Sequence, residues 1–292
     1  MAKTAAHLVD HVIAHVAVRQ WVLSLPIPLR LLLAAQPLLV TLVLQVVHRA
    51  ITRFLLQQAG LKAELADSGA VTLIQPNLGL GSAANLNIHL HCLVLDGVYQ
   101  RTDGEPLFVE VPAPTDEQLL AMLHKIIGRL MKLLTRRGVL IEEQGSTYMA
   151  DSDAESDDAQ MLRPLQAAAC TYRIAFGPRA GQKVFTVQGA MPRGTVFAPV
   201  LCADVQGFSL HAAVRRGADD RQALEQLCRY ITRPALANER VQFNAAGQVV
   251  LKLKTAWHDG TTHIVMSPLE FMKRLAALVP RPRLHLIRLV SA

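Results

Sequence analysis

The stretch "NLNIHLHCLVLDGVY" (residues 85–99) decides how this chain reads. Apolar residues dominate it, and Asp96-Gly97 predicts a turn that closes it as a strand. In a strand, residues i and i+2 share a face. His89 and His91 therefore aim two imidazoles at one point, while Leu90 turns to the opposite face. Two imidazoles alone hold a divalent ion poorly. With a third protein ligand and open positions for water or substrate they form a catalytic metal site. Two strand histidines hydrogen-bonded to their neighbours satisfy the same pattern, so the HxH spacing leaves both readings open.

Upstream, "VRQWVLSLP" (residues 18–26) has β-branched and aromatic residues ending at proline, and predicts a strand. Residues 4–16 predict a helix with His7, His11 and His15 on one face, read as a solvated face because no further ligand stands near. Residues 29–59 predict two helices broken near Pro37. "GAVTLIQPNLGLGSA" (residues 69–83) predicts a short strand and a glycine-rich loop, which is not a phosphate loop because no GKS or GKT follows. Downstream, "PLFVEVP" (residues 106–112) predicts a partner strand across a turn at Asp103-Gly104. Leu119, Leu120, Leu123, Ile126, Ile127, Leu130 and Leu134 repeat at helical spacing over residues 116–137.

The acidic run "ADSDAESDDAQ" (residues 150–160) has almost no apolar content and predicts a linker. It divides the chain into an N-terminal half (1–149), a linker (150–163) and a C-terminal half (164–292). In that second half "YRIAFGPRAGQKVFTVQ" and "GFSLHAAVRR" predict strands. "DDRQALEQLCRYITRP" predicts a helix capped by Asp219 or Asp220, and "QVVLKLKTAWHDGTTHIVM" a hairpin about Asp259-Gly260. "SPLEFMKRLAALVP" predicts a closing helix with Ser267 and Glu270 as a capping box.

The 292 residues are 51% hydrophobic, enough to bury a real core. A net charge of +7 favours a polyanionic partner, nucleic acid first and an anionic membrane second. Cys92, Cys170, Cys202 and Cys228 form neither a CxxC pair nor a disulfide framework, which suits a reducing cytosol. Residues 31–47 carry no charge, but Gln36, Pro37 and Gln45 suit buried helices better than a membrane span. Asp10 and three histidines interrupt the N-terminal apolar run, against a signal peptide.

The chain resembles the HUH rolling-circle transposases of the insertion sequence 91 type, including their single-tyrosine common-region relatives. The segments that carry the resemblance are "TAAHLVDHV", "VRQWVLSLP", "GSAANLNIHLHCLVLDGVY", "IAFGPRAGQKV", "GFSLHAAV", "LCRYITRPALANERV" and "WHDGTTHIVMSPLEFMKRLAALVPRPRLHLIR". They run in family order over nearly the whole chain. The resemblance implies that His89 and His91 hold Mg²⁺ or Mn²⁺, and that a tyrosine attacks single-stranded DNA at mobile-element ends, leaving a 5′-phosphotyrosine and a free 3′-OH.

Tyr99, Tyr148, Tyr172 and Tyr230 are the four candidates, and Tyr230 in "LCRYITRP" matches the family's catalytic helix. It stands about 120° from the stripe formed by Leu224, Leu227, Cys228 and Ile231, given about 100° per residue. Two-tyrosine members carry a second tyrosine one turn earlier, where this chain has Gln226. Gln75 and His211 are rival third ligands, with His211 preferred, and the Asp96 carboxylate reads as structural. Arg179 and Lys183 on a glycine-containing turn, Arg215 and Arg216 after the "FSLHAAV" strand, and Arg229 and Arg233 beside the tyrosine are expected to meet DNA phosphates. Arg281, Arg283 and Arg288 cluster near the end, and Trp21 and Trp257 read as core.

Relatives begin with a cysteine-rich zinc segment and continue past "HLIR", so both ends of this chain read as cut. The expectation is an α+β fold: a central antiparallel sheet bearing the HxH strand, packed by helices, in a cytoplasmic, nucleoid-associated protein that does not enter membranes. The alternative is a catalytically inactive DNA-binding remnant, and a third reading, membrane association, rests only on residues 31–47.

Overall fold

The computed structural model describes residues 2–75, 88–143, 146–149, 164–165, 168, 173–183, 185–188, 200–232, 238–253, 256, 259–278 and 286–291. Helix α1 (Ala2–His7) runs into a π-helical turn (Leu8–Val12), then strand β1 (Val18–Ser24). Helices α2 (Ile27–Ala35) and α3 (Pro37–Ala59) part at Gln36. Its φ of −125° and ψ of 81° are the non-helical conformation that a following proline favours. Gly60, at φ +68°, closes α3 with a left-handed cap.

Strands β2 (Ala66–Asp67), β3 (Gly69–Gln75), β4 (His89–Leu95), β5 (Gly97–Gln100) and β6 (Leu107–Glu110) precede helix α4 (Asp116–Arg136). Thr115 and Gln118 cap α4 reciprocally, each side chain accepting from the other's backbone N–H. There follow β7 (Leu140–Glu143), β8 (Ser146–Met149), β9 (Phe185–Gln188), β10 (Cys202–Val205), β11 (Phe208–His211), β12 (Arg215–Arg216), and helix α5 (Arg221–Ile231). Strands β13 (Val241–Phe243), β14 (Val249–Lys252) and β15 (Thr261–Met266), helix α6 (Pro268–Leu278) and β16 (Ile287–Ser291) end the chain's order.

The fold is α+β. A seven-stranded antiparallel sheet runs β10-β11-β1-β4-β3-β16, with β12 also paired to β1. Three of its strands precede the acidic run and four follow it, so the two halves share one sheet. The run itself, residues 150–163, lies outside the described residues.

The two faces of this sheet are covered differently. Trp21, Leu23, Leu90, Cys92 and Val94 on one face join a core with α2, α3 and α4. Val18, Val71, Leu73, Leu93 and Leu95 on the other pack against α1, the π-helical turn and Leu224, Cys228 and Ile231 of α5. One helix, Leu38–Ala59, is long and apolar enough to cross a membrane by length and composition, and half of its apolar window is buried inside the protein.

Three local expectations are corrected. The first helix stops at Val12, so His15 lies beyond it, while the exposed His7 and His11 rings remain neighbours at 5.2 Å. "PLFVEVP" supplies β6 across the expected Asp103-Gly104 turn, but its partner is β5, in a separate three-stranded sheet with β2, rather than the histidine strand β4 itself. Gly97 permits that junction: a Cβ there would lie 2.3 Å from the Val109 carbonyl oxygen. Asp220 occupies the cap position of α5, but its side chain makes no capping hydrogen bond.

Asp96, directly after the histidine strand, is structural. It is 1% exposed and accepts from Arg19 Nε at 2.8 Å and Nη2 at 2.9 Å, and from Arg215 Nε at 2.7 Å. Arg19 is itself buried and also donates to the Ala212 carbonyl. The cluster ties β1, β4 and β12 together at one end of the sheet. Removing one member of such a buried pair strands the other charge, at a cost of about 3–5 kcal/mol. Asp96→Ala is therefore expected to lower unfolding free energy by about that amount in urea titration, whereas Glu110→Gln, at the exposed end of the Arg215 contact, changes it by under about 1 kcal/mol. Equal small effects of the two would refute the assignment.

Candidate metal and nucleophile site

Directly paired residues on antiparallel neighbours share a face. Two adjacent rows cross the sheet on the α5 side. The first runs Leu73, His91, Val22, His211, Cys202 over β3, β4, β1, β11 and β10. The second runs Gln75, His89, Ser24, Ser209, Asp204 over the same strands. All four residues expected as metal ligands thus lie on one face, and it is the face that carries the α5 helix.

The imidazoles of His89 and His91 stand 6.2 Å apart between centroids, tilted by 39°. Burial pushes His89 down to about 3, with the charges of His91, Arg30 and His211 adding to the effect. Burial pushes His91 down to about 4. Both rings are neutral at physiological pH, the state in which imidazole binds metal.

His91 Nδ1 lies 2.8 Å from the Gln20 amide, and both residues are buried. Its Nε2 is buried with no hydrogen-bond partner among the described residues. A buried nitrogen left in this state costs free energy unless something occupies its lone pair or proton. The atom facing Nδ1 is the Gln20 amide nitrogen, which donates to it and leaves the ring proton on Nε2. Turned by 180°, the amide oxygen accepts from Nδ1–H and Nε2 presents a lone pair, the usual arrangement behind a metal-bound histidine. With the amide in that second orientation the residues present fit a divalent ion at His91.

Two residues remain candidates for the third ligand, His211 and Gln75. His211 stands two strands from His91, about 10 Å by strand spacing. Its Nε2 lies 3.3 Å from Cys202 Sγ. Among the described residues no group of three His, Cys, Asp or Glu is placed to hold an ion. Gln75 is the direct cross-strand partner of His89, one strand spacing away. Register thus sets Gln75 in the row of His89, while the charge of His211 still acts on His89.

Tyr230 is 41% exposed on α5. Leu224, Cys228 and Ile231 bury the helix against the sheet beyond the histidines, at Leu93, Leu95, Val71 and Leu73. Arg221 sets its angle by donating to the carbonyls of Val9, Ile13 (2.9 Å) and Ala14 (3.1 Å). The segment "TAAHLVDHV" is thus a wedge that fixes the tyrosine helix on the histidine face. Tyr99 packs on Phe108 at 5.1 Å between centroids, Tyr148 has no described side chain, and Tyr172 lies outside the described residues.

The basic residues divide. Arg216 pairs with Val18 and so shares the histidine face; its Nε is buried without a partner among the described residues. Arg215 is committed to Asp96 and Glu110, and Arg229 pairs with Glu225 at 2.6 Å, so neither presents an uncommitted guanidinium. Arg179 reaches Gln182, and Lys183 is exposed on the same turn, away from the main sheet. Arg233, Arg281, Arg283 and Trp257 lie outside the described residues; Arg288 is on β16, and Trp21 is core, edge-on to Phe54.

Sequence reasoning passes over Gln20 and Arg30. Gln20 is findable: in "VRQWV" two consecutive polar residues face opposite sides of a strand covered on both, so each needs a buried partner. Arg30 acts across space from α2 and leaves no signal of its own.

A family model entitled "Putative transposase" matches residues 69–290. No curated protein and no solved structure matches the chain.

The buried histidines make stability depend on pH. His48, hydrogen-bonded to Thr72, is also pushed down by burial, to about 4. For each of the three the folded pKa lies below the unfolded value of 6.5. The unfolded chain therefore takes up protons first, and stability is lost as pH falls below 6.5. The slope reaches at most about 1.4 kcal/mol per pH unit for each histidine. Urea midpoints of metal-free protein are expected to drop between pH 6.5 and 5, and His48→Asn to remove about a third of that slope. A flat profile over this range would contradict the buried neutral rings.

Proposed function

The chain belongs to this transposase family, and from that premise we propose that it cuts and rejoins single-stranded DNA at mobile-element ends through a 5′-phosphotyrosine on Tyr230. The observation that supports the reading is the sharing of one sheet face by His89, His91 and the tyrosine helix.

His89 and His91, with Gln75 as third ligand, would hold Mg²⁺ or Mn²⁺, which supplies positive charge where negative charge develops on the scissile phosphate. Gln20, with its amide oxygen turned toward Nδ1, would keep the His91 ring oriented and its metal-binding tautomer fixed. Arg216 donates to a phosphate oxygen from the same face. The Tyr230 oxygen forms a bond to phosphorus as the bond to the 3′ oxygen breaks; the phenol gives up its proton and the 3′ oxygen gains one. The reverse step, attack of a 3′-OH on the phosphotyrosine, rejoins a strand without a nucleotide cofactor because the bond energy is retained. One tyrosine, with Gln226 a turn earlier, means that each cut must be resolved before the next.

The second reading, a DNA-binding remnant without chemistry, draws on the absence of a three-residue metal cluster among the described residues. One assay separates the two. Incubation with labelled single-stranded DNA and Mn²⁺ is expected to give a covalent adduct, reduced to background in Tyr230→Phe, His89→Ala and His91→Ala and retained in Tyr99→Phe. Binding without an adduct would support the remnant.

The orienting role of Gln20 is separately testable. Gln20→Leu is expected to weaken Mn²⁺ affinity by about 10–100-fold in calorimetry. Unchanged affinity would remove Gln20 from the site.

A further inference from the structure

The face opposite Tyr230 carries a row of six cations that no ion pair among the described residues engages. Helix α3 contains Arg49 and Arg53 and no aspartate or glutamate. Helix α4 contains Lys125, Arg129, Lys132 and Arg136, and its carboxylates, Asp116 and Glu117, are confined to its first turn. Arg129 is half-exposed and the other five are exposed. The ion pairs among the described residues engage other arginines: Arg19, Arg101, Arg215, Arg229 and Arg274.

The two helices bring these charges together. A cavity of about 370 Å³ between them is lined by Arg53, Gln57, Gln118, Lys125 and Arg129. Arg53 is also a wall of a second cavity, of about 530 Å³, that reaches Arg49 and Arg288. Among the described residues no carboxylate lines either one. Along α4 the cations extend over about 16 Å, or about five base steps of one DNA strand.

We propose that the α3–α4 face is a second DNA-binding surface, which grips the backbone of double-stranded DNA while the cut strand occupies the histidine face. Charge makes the occupant a polyanion, and the missing aromatics make it a duplex. Proteins that hold single strands stack bases on exposed aromatic rings. The exposed aromatic residues among those described are Phe176, Tyr230 and Phe243, none of them on α3 or α4. Phe54 turns inward onto Trp21. A cation row without base-reading side chains holds phosphate regardless of sequence.

The test is binding rather than cleavage, so it stands or falls apart from the phosphotyrosine reading. Fluorescence anisotropy with a 25-base-pair duplex, in chelator and over a range of salt, compares two double variants of equal charge. Arg53→Gln with Lys125→Gln alters the proposed face; Lys3→Gln with Lys252→Gln alters exposed lysines elsewhere. Thermal melts confirm that both fold. The first variant is expected to reduce the slope of log affinity against log salt by about 1.8, about 0.9 for each phosphate no longer neutralised, and the second to leave it unchanged. Equal slopes in the two variants would overturn the proposal. So would an equal reduction for a single strand of the same length. Selective loss of binding to phosphatidylserine vesicles, with duplex binding intact, would overturn it in favour of a membrane surface.

Discussion

The antiparallel register of β4 between β1 and β3 is the constraint on which the rest of the structure depends. Because strand side chains alternate with a period of two, a slip of one residue would send both histidines to the Trp21 face and Leu90 and Cys92 to the α5 face. The Trp21 face is closed by α3 and α4, and an imidazole there needs a dedicated partner, as His48 has in Thr72. The α5 face tolerates the pair because Gln20 stands beside His91 and the helical cover lies over Leu93 and Leu95 instead. The same register sets Gln75 opposite His89, so strand pairing rather than nearness in sequence brings it beside the histidine pair.

Electrostatics follow from that placement. Two cationic imidazoles side by side, near Arg30, would repel one another; burial keeps both uncharged instead. A neutral pair is poor at attracting phosphate unaided, so attraction must come from an ion or from nearby guanidinium groups. Arg215 is unsuited to that task because Asp96 needs it: the buried carboxylate carries two arginines, and withdrawing one alters the corner where β1, β4 and β12 meet. Arg216, one residue on, faces the other way and escapes this obligation. Alternation along a two-residue strand thus separates a structural arginine from one suited to substrate.

Much of this is legible in the sequence, and the failures have physical causes. The strands "VRQWVLS" and "HLHCLVL", the break at Pro37, the α4 stripe and the hairpin about Gly260 rest on local signals: alternation, a proline, a heptad-like repeat and a turn glycine. The fold class follows from them. What the sequence leaves hidden is set by distant partners. No local rule says that Arg215 will meet a carboxylate 119 residues away. Nor does one say that "PLFVEVP" will leave the main sheet; that depends on Gly97 accepting a backbone at 2.3 Å from where a Cβ would stand. Nor does one say that His211 will meet Cys202 across the hairpin at 3.3 Å.

The N-terminal segment shows how a remote piece of chain governs the placement of Tyr230, the proposed nucleophile. Tyr230 belongs to a helix of eleven residues, too short to be stable on its own in water. Its position comes from burying Leu224, Cys228 and Ile231 against Ala5, Leu8, Val9 and Ile13, and from Arg221 gathering three carbonyls at the end of the π-helical turn. Those carbonyls are open to a side chain because the helix ends there, leaving acceptors that a continued helix would have used. The widened π-helical turn and its early stop are therefore part of the tyrosine's placement. A straight helix through His15, as its four-residue histidine spacing suggests, would withdraw the acceptors that hold α5 in place.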